Sequence, residues 1–318
     1  MITITLKFPS DEPGASEDRL PKTMAIGYFD GVHPGHQAVI RKAVELARAA
    51  GKRASVMTFD PHPRAFFGHG EAYAESLTPL PEKIRLFGEL GVDIVYVAVF
   101  DRAFSSLTPD RFVRELLIGR LNVSDAAVGF DFTFGRGGAG NPAVLAELGQ
   151  PDLAVHTVEP VSAAGVKVSS SRIRDALELG DVALAAGLLR RPYRISGTVA
   201  HGAARGRTIG FPTANIEPDG RYVLPRHGVY AVNVRRGDAS YPAVMNVGVV
   251  PTFYGEGGTP KLEAHLLDYS GDLYGVRLSV DFVAFIRPEM RFGGIDELTA
   301  QIREDAEQAR RLLAIVRK

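Results

Sequence analysis

The chain has no cysteine, which excludes at once a disulfide framework, a thiolate nucleophile and a zinc site built on thiolates. It has no surplus of charge either. Lysine plus arginine and aspartate plus glutamate are equal at 37 each, so no overall field draws the chain to nucleic acid or to an anionic membrane. Phosphate recognition, if present, has to be local. Long apolar runs are missing: Ile94 to Phe100 is the longest, far short of the roughly 20 residues that span a bilayer. No apolar segment behind a basic end opens the chain, and a cytoplasmic location is expected. Internal repeats and low-complexity segments are absent as well.

What is present is an ordinary globular composition, 45% hydrophobic over 318 residues, enough for two domains with separate cores. Strand and helix patterns alternate through the first half: a strand ending at Met24-Ala25-Ile26, a helix with apolar positions Val39, Ile40, Ala43, Val44 and Ala47, then strands at Ala54 to Phe59, Val92 to Phe100, Ala126 to Gly129 and Leu153 to Val158. Helices are expected over Pro79 to Leu90, from Thr108-Pro109-Asp110 to Arg120, over Pro142 to Leu148, and from Ile173 to Leu189. Such alternation argues for a parallel sheet covered on both faces, with ligands beyond the strand C-termini. After Arg190-Arg191-Pro192 the period changes. Short alternating segments at Ile195 to Val199, Gly228 to Val234, Tyr241 to Val247, Leu262 to Leu267 and Arg277 to Phe285 read as a small antiparallel barrel, followed by a helix from Ile295 to Val316. Domains are therefore expected at 1–189 and 190–318. The loop from Tyr254 to Pro260, with three glycines, is the candidate for a mobile lid.

The stretch Gly27-Tyr28-Phe29-Asp30-Gly31-Val32-His33-Pro34-Gly35-His36 follows the first of these strands and opens its helix. It is H-x-G-H, not the glycine fingerprint of a dinucleotide-binding turn. Histidines three apart at a helix start can project toward one point, Gly35 lets a ligand approach the backbone, and the helix N-terminus favours an anion. Taken alone, the motif fits equally well one packed and one solvated histidine. Ser169-Ser170-Ser171-Arg172-Ile173-Arg174 offers hydroxyls and guanidinium forks for phosphate, or an ordinary helix cap. In the second half, glycines near Arg205 and Arg207 suit a phosphate wrap. Thr213 and Asn215 put two hard oxygens on one side of an extended segment, a set suited to Mg²⁺. Glu263 shares a strand face with His265 and is the candidate base, or a solvated carboxylate.

Together these motifs resemble the prokaryotic bifunctional riboflavin kinase/FMN adenylyltransferases, or FAD synthetases, over nearly the whole chain. The match runs in order through Gly27 to His36, Thr58-Phe59-Asp60-Pro61-His62-Pro63, Gly129 to Gly135, Ser169 to Arg174, Gly206 to Asn215, Asn246-Val247-Gly248, Glu263 to Asp268, Leu273-Tyr274-Gly275 and Phe285 to Phe292. The resemblance implies a Rossmann-like nucleotidyltransferase domain followed by a riboflavin kinase barrel. It implies catalytic roles for His33, His36, Arg174 and Glu263. Nucleotide contacts are implied for Gly27, Phe29, Asp30, Gly35, Asp131, Ser170, Ser171, Gly206, Arg207 and Thr208. Flavin contacts are implied for Asp60, His62, Asp131, Phe211 and Arg291, and Mg²⁺ for Thr213 and Asn215. Ser171 stands where the family usually has threonine. Riboflavin, FMN and ATP are then the partners, FAD the final product, and nucleic acid and membrane are not expected; self-association is left open. A flavin- or nucleotide-binding regulator with one or both activities lost, and a zinc hydrolase using His33, His36 and His62, are the rival readings. The second lacks a glutamate beside its histidine pair.

Overall fold

The computed structural model describes residues 1–9, 20–68, 73–163, 165–201, 210–250 and 259–316. Gly206, Arg207 and Thr208, and the candidate lid from Tyr254 through residue 258, lie outside the described residues. By internal packing the chain divides into two units, Met1–Ser169 and Ser170–Lys318.

In the first unit six parallel strands stand in the order β1-β4-β3-β2-β5-β6. They are β1 (Ile2–Leu6), β2 (Lys22–Ile26), β3 (Arg53–Asp60), β4 (Ile94–Val99), β5 (Val123–Gly129) and β6 (Ala154–Val158). The helices between them are α1 (Pro34–Ala49), α2 (Pro63–Phe66), α3 (Leu80–Glu89), α4 (Arg102–Ser105), α5 (Arg111–Arg120) and α6 (Pro142–Gly149). β1 is an addition to the expected pattern. α5 is wound more widely than an α-helix, its end closed by the Leu121 N–H on the Leu116 carbonyl. Met24, Ala25 and Ile26 are buried on both sides of the sheet, as a strand covered on two faces requires. Met24 and Ile26 join the core that includes Phe112, Val113 and Leu116, while Ala25 joins the one that includes Ile40, Ala43 and Phe87. From β2 the chain runs outward through β3 to β4, then returns to lay β5 on the other side of β2. That reversal puts the turns after β2 and β5 at the switch point of the sheet, where a crevice opens. A short hairpin, β7 (Ser162–Ala163) with β8 (Val166–Lys167), follows β6.

The second unit opens with α7 (Ser170–Glu178) and α8 (Val182–Leu189). The single helical stretch expected over 173–189 is broken at Gly180, whose positive φ of 80° ends the first helix, and Asp181 caps the second. α8 is almost wholly apolar and packs on β14 and β9, so both helices group with the barrel although the change of sequence period falls after them. The barrel is closed and antiparallel, in the order β10-β13-β12-β11-β14-β9. Its strands are β9 (Tyr193–Ala200), β10 (Ala214–Pro218), β11 (Gly228–Arg236), β12 (Ala239–Val250), β13 (Thr259–Leu266) and β14 (Arg277–Arg287). Tyr230, Met245, Val247, Leu262, Ala264 and Phe282 fill its interior. On the outer face Val229, Ala231 and Val244 pack with Ala309 and Leu313 of α9 (Ile295–Val316). Arg287 holds that helix with a paired hydrogen bond to buried Asp305, at 2.9 and 2.7 Å.

Candidate functional sites in the two halves

The turn after β2 is tightly shaped. Phe29, Gly31 and Val32 all have positive φ, at 57°, 81° and 41°, and two of these are not glycine. Its shape is held from below: the Gly31 N–H donates to Thr78 Oγ1 at 2.9 Å, and the Thr78 N–H donates to Asp30 Oδ1 at 3.2 Å. Phe29 and Asp30, for which nucleotide contact is expected, are buried beneath the turn, and Phe29 packs edge-on against Phe87 and His36. Gly27 makes room for that ring, since a Cβ there would stand 2.8 Å from it. Gly35 likewise makes room for His33, whose ring would be 3.1 Å from an added Cβ.

His33 is the N-cap of α1, and its Nδ1 accepts the His36 N–H at 3.4 Å. That bond assigns the proton of the neutral ring to Nε2. The two imidazoles stack, centroids 3.6 Å apart and planes 22° from parallel. His36 is held well below the usual histidine range by burial, then by the charges of His33 and Lys83, so it is neutral at pH 7. Its Nδ1 is buried without a hydrogen-bond partner among the described residues. An orphaned polar atom beside a helix N-terminus fits an anionic ligand.

The other residues singled out in this unit lie at or just beyond the ends of β3 and β5, the strands that flank β2. His62 caps α2 through the Arg64 N–H at 2.9 Å and packs between Tyr28 and Tyr73. Asp60 ends β3, exposed. Asp131 is exposed and paired with Lys167 at 3.0 Å. Next to them is a cavity of about 480 Å³ walled by aromatic rings, among them Phe59, Phe67, Phe100, Phe104 and Phe134. Phe132 and Thr133 line it too, and Arg64 reaches its rim. Phe100 ends a stretch whose sequence reads only as a buried strand, so nothing in its spacing marks it as a wall.

In the second unit, Ser170, Ser171 and Arg174 lie in the first turns of α7, with Ser171 exposed and the other two half-buried. Thr213, Asn215 and Glu263 line one cavity of about 350 Å³ on the outer face of the barrel, roofed by Leu298 and Ile302 of α9. Asn215 and Glu263 are direct cross-strand partners of β10 and β13, and Glu263 is in turn opposite Asn246 of β12. Leu262, Ala264 and Leu266 point the other way and are buried, as the alternation predicts. Lys261 Nζ lies 2.8 Å from Glu263. Phe211 lines the cavity and meets His265 edge-on. Arg291 is exposed, whereas Met290 and Phe292 on either side of it line the cavity. Glu289 also lines it and accepts from Asn246 at 3.4 Å; Gly248 leaves space for that carboxylate, which an added Cβ would approach to 2.5 Å. A hydroxyl, an amide oxygen and carboxylates in one pocket form a hard-oxygen donor set.

Two family models match the chain, FAD synthetase over residues 15–172 and riboflavin kinase over 189–313. The bifunctional riboflavin kinase/FMN adenylyltransferase of Bacillus subtilis is 42% identical over 303 residues, covering 95% of this chain and 96% of that protein. The protein of the same name from Escherichia coli K12 is 42% identical over 296 residues, covering 92% of this chain and 93% of its own. A crystal structure from Streptococcus pneumoniae, described as a macrolide-efflux protein, superposes with a TM-score of 0.86 at 34% identity, covering 98% of this chain and 99% of that one. Among the described residues of the present chain no helix is long and apolar enough to cross a membrane. With both halves matched in order and relatives aligned almost end to end, this chain belongs to the family of bifunctional riboflavin kinase/FMN adenylyltransferases.

Proposed function

We infer that the chain makes FAD from riboflavin in two ATP-dependent transfers, the kinase step in residues 190–318 and the adenylyl transfer in residues 1–189. The observation that carries this reading is the cross-strand pair of Asn215 and Glu263 in one cavity with Thr213. A base and a hard-oxygen pair are what a phosphoryl transfer to an alcohol needs.

In the kinase step Glu263 accepts the proton of the riboflavin 5′-hydroxyl as its oxygen attacks the γ-phosphorus of ATP; the bond to the β-phosphate oxygen breaks and ADP leaves. Lys261 holds the Glu263 carboxylate in place. Thr213 and Asn215 are the residues that would hold Mg²⁺, which when bound neutralises charge on the transferring phosphates. The apolar wall of Phe211, Val244, Met290 and Phe292 suits the flavin rings.

In the second step a phosphate oxygen of FMN attacks the α-phosphorus of another ATP, and pyrophosphate leaves. The nucleophile is already anionic, so the protein supplies alignment and donors in place of a base. A neutral His36 donates without competing for the proton, and His33 offers Nε2–H from the cap of α1. Ser170, Ser171 and Arg174 remain phosphate ligands in this reading. The aromatic cavity takes the isoalloxazine, since stacked rings contribute both area and geometry. A cytoplasmic site of action fits a chain whose substrates are riboflavin and ATP.

Incubation of the purified chain with riboflavin, ATP and Mg²⁺, with separation of the flavins, tests the reading. FMN and then FAD are expected; a flavin-binding protein without turnover yields neither.

A further inference from the structure

Lys83 is a buried lysine that the two transfers above leave unused. It sits on α3, 2% exposed, and its ammonium ion donates to the Tyr28 carbonyl oxygen at 2.8 Å while lying 3.7 Å from the centre of the Tyr28 ring. Tyr28 opens the turn that ends at His33. The same ring packs on His62 at 3.9 Å, His62 packs on Tyr73 at 4.8 Å, and the Arg64 guanidinium lies 5.2 Å from the Tyr73 ring. A column of three rings with a cation at each end thus joins the H-x-G-H turn to the His62 loop. Three further titratable groups act on the ammonium or feel it: Asp30 from the turn, Asp60 from the end of β3 and His36 from α1.

Keeping a cation there is unfavourable for folding. Burial pushes Lys83 down to about 8 in spite of Asp30 and Asp60. Nor is it needed merely to satisfy the Tyr28 carbonyl, because Thr58 Oγ1 already donates there at 3.0 Å. A methionine would occupy similar space with no ammonium to desolvate. A charge buried where folding alone would favour an apolar side chain points to work at the neighbouring site.

We propose that Lys83 is a positioning residue for adenylyl transfer: its ammonium ion, gripping Tyr28 by carbonyl and ring, fixes the turn that presents His33 and His36 and ties it to the His62 loop. The proposal rests on the adenylyl-transfer reading of this turn.

The test compares the full-length parent, Lys83→Met and Lys83→Arg in separate assays of FMN formation from riboflavin and FAD formation from added FMN. Lys83→Met is expected to lower kcat for FAD formation by roughly 10²-fold, as a misplaced catalytic turn would, with FMN formation unchanged and a melting temperature equal to or above the parent's. Lys83→Arg restores the charge and recovers part of the rate. In the parent, kcat for FAD formation falls as pH rises through about 8, where the ammonium is lost; FMN formation and Lys83→Arg lack that limb. Full FAD formation by Lys83→Met overturns the proposal, as does a parent rate that stays level from neutrality through about 8 and beyond. A large fall in melting temperature together with lost FAD formation makes Lys83 a structural brace and overturns it too. A parent that makes no FAD at all sinks the adenylyl-transfer reading and the proposal with it, whereas a parent that makes FAD no faster than Lys83→Met sinks the role of Lys83 alone.

Discussion

Gly140→Ala bears directly on the aromatic cavity without replacing a residue that lines it. Gly140 faces Phe134 across an isolated bridge, each donating its N–H to the other's carbonyl, at 2.8 and 3.1 Å. A Cβ on Gly140 would stand 2.5 Å from Cε1 and Cζ of the Phe134 ring. Carbon atoms in comfortable contact are about 3.5–4.0 Å apart, so the ring has to retreat by roughly 1 Å or more. It has little freedom to do so, being 7% exposed, with Phe112 centred 5.1 Å away and Phe132 stacked at 5.6 Å. Overpacking of this kind costs about 1–3 kcal/mol. If Phe134 is a wall for the isoalloxazine, about 1.4 kcal/mol of that strain expressed in the complex raises the KM for FMN about tenfold. The assay is FAD formation at saturating ATP with FMN varied, alongside FMN formation from riboflavin and a melting curve. A higher KM for FMN, an unchanged KM for ATP and an untouched kinase step are expected. A clear fall in melting temperature with the KM for FMN unmoved would refute the assignment of this cavity to flavin.

Further outcomes follow from the same geometry. His33→Ala and His36→Ala each lower FAD formation by roughly 10² or more and spare FMN formation, because each removes a donor aimed at developing charge. Glu263→Gln does the reverse, lowering FMN formation by about 10² to 10⁴ in a steady-state kinase assay. Burial holds His36 below its ordinary value of 6.5, so the unfolded chain takes up that proton first. The contribution to stability is therefore present above about 6.5 and declines as pH falls toward the lower folded value. Melting curves of the parent should lose stability on acidification below that point, and His36→Gln should lose less.

Much of this architecture was legible in the sequence, and the failures have physical causes. The alternation of Ala54 to Phe59 and Val92 to Phe100 with helices gave a parallel sheet, and the change of period after residue 190 gave the barrel with its helix from Ile295 to Val316. β1 escaped because a five-residue edge strand, Ile2–Leu6, is too short for its pattern to stand out. β10 escaped because Ala214–Pro218 ends in proline and carries Asn215 and Glu217, poor strand formers taken alone; closure of the barrel between β9 and β13 overrides that preference. At the sites, the motifs marked the turn after β2 and the facing strands β10 and β13, but not the packing around them. Two glycines of the first motif, Gly27 and Gly35, leave room for the rings of Phe29 and His33, a relation that only coordinates can reveal. Lys83 left a faint signal, a lysine in phase with Leu86 and Phe87 on the buried side of α3, which helical spacing alone could have flagged.

The rung of Asn215, Glu263 and Asn246 across three adjacent strands has a bearing on how this enzyme can vary. These residues are neighbours because the backbone ladder sets their register, and a closed cylinder offers no free margin along which one strand could slide. Deleting a single residue from β13 would flip Glu263 into the space now filled by Leu262 and Ala264 and turn apolar groups outward into the cavity beneath α9. Exchange of side chains beside the rung leaves that register intact, whereas a change of length within it is prohibitive; inserted or lost residues in natural variants should gather in the turns between strands.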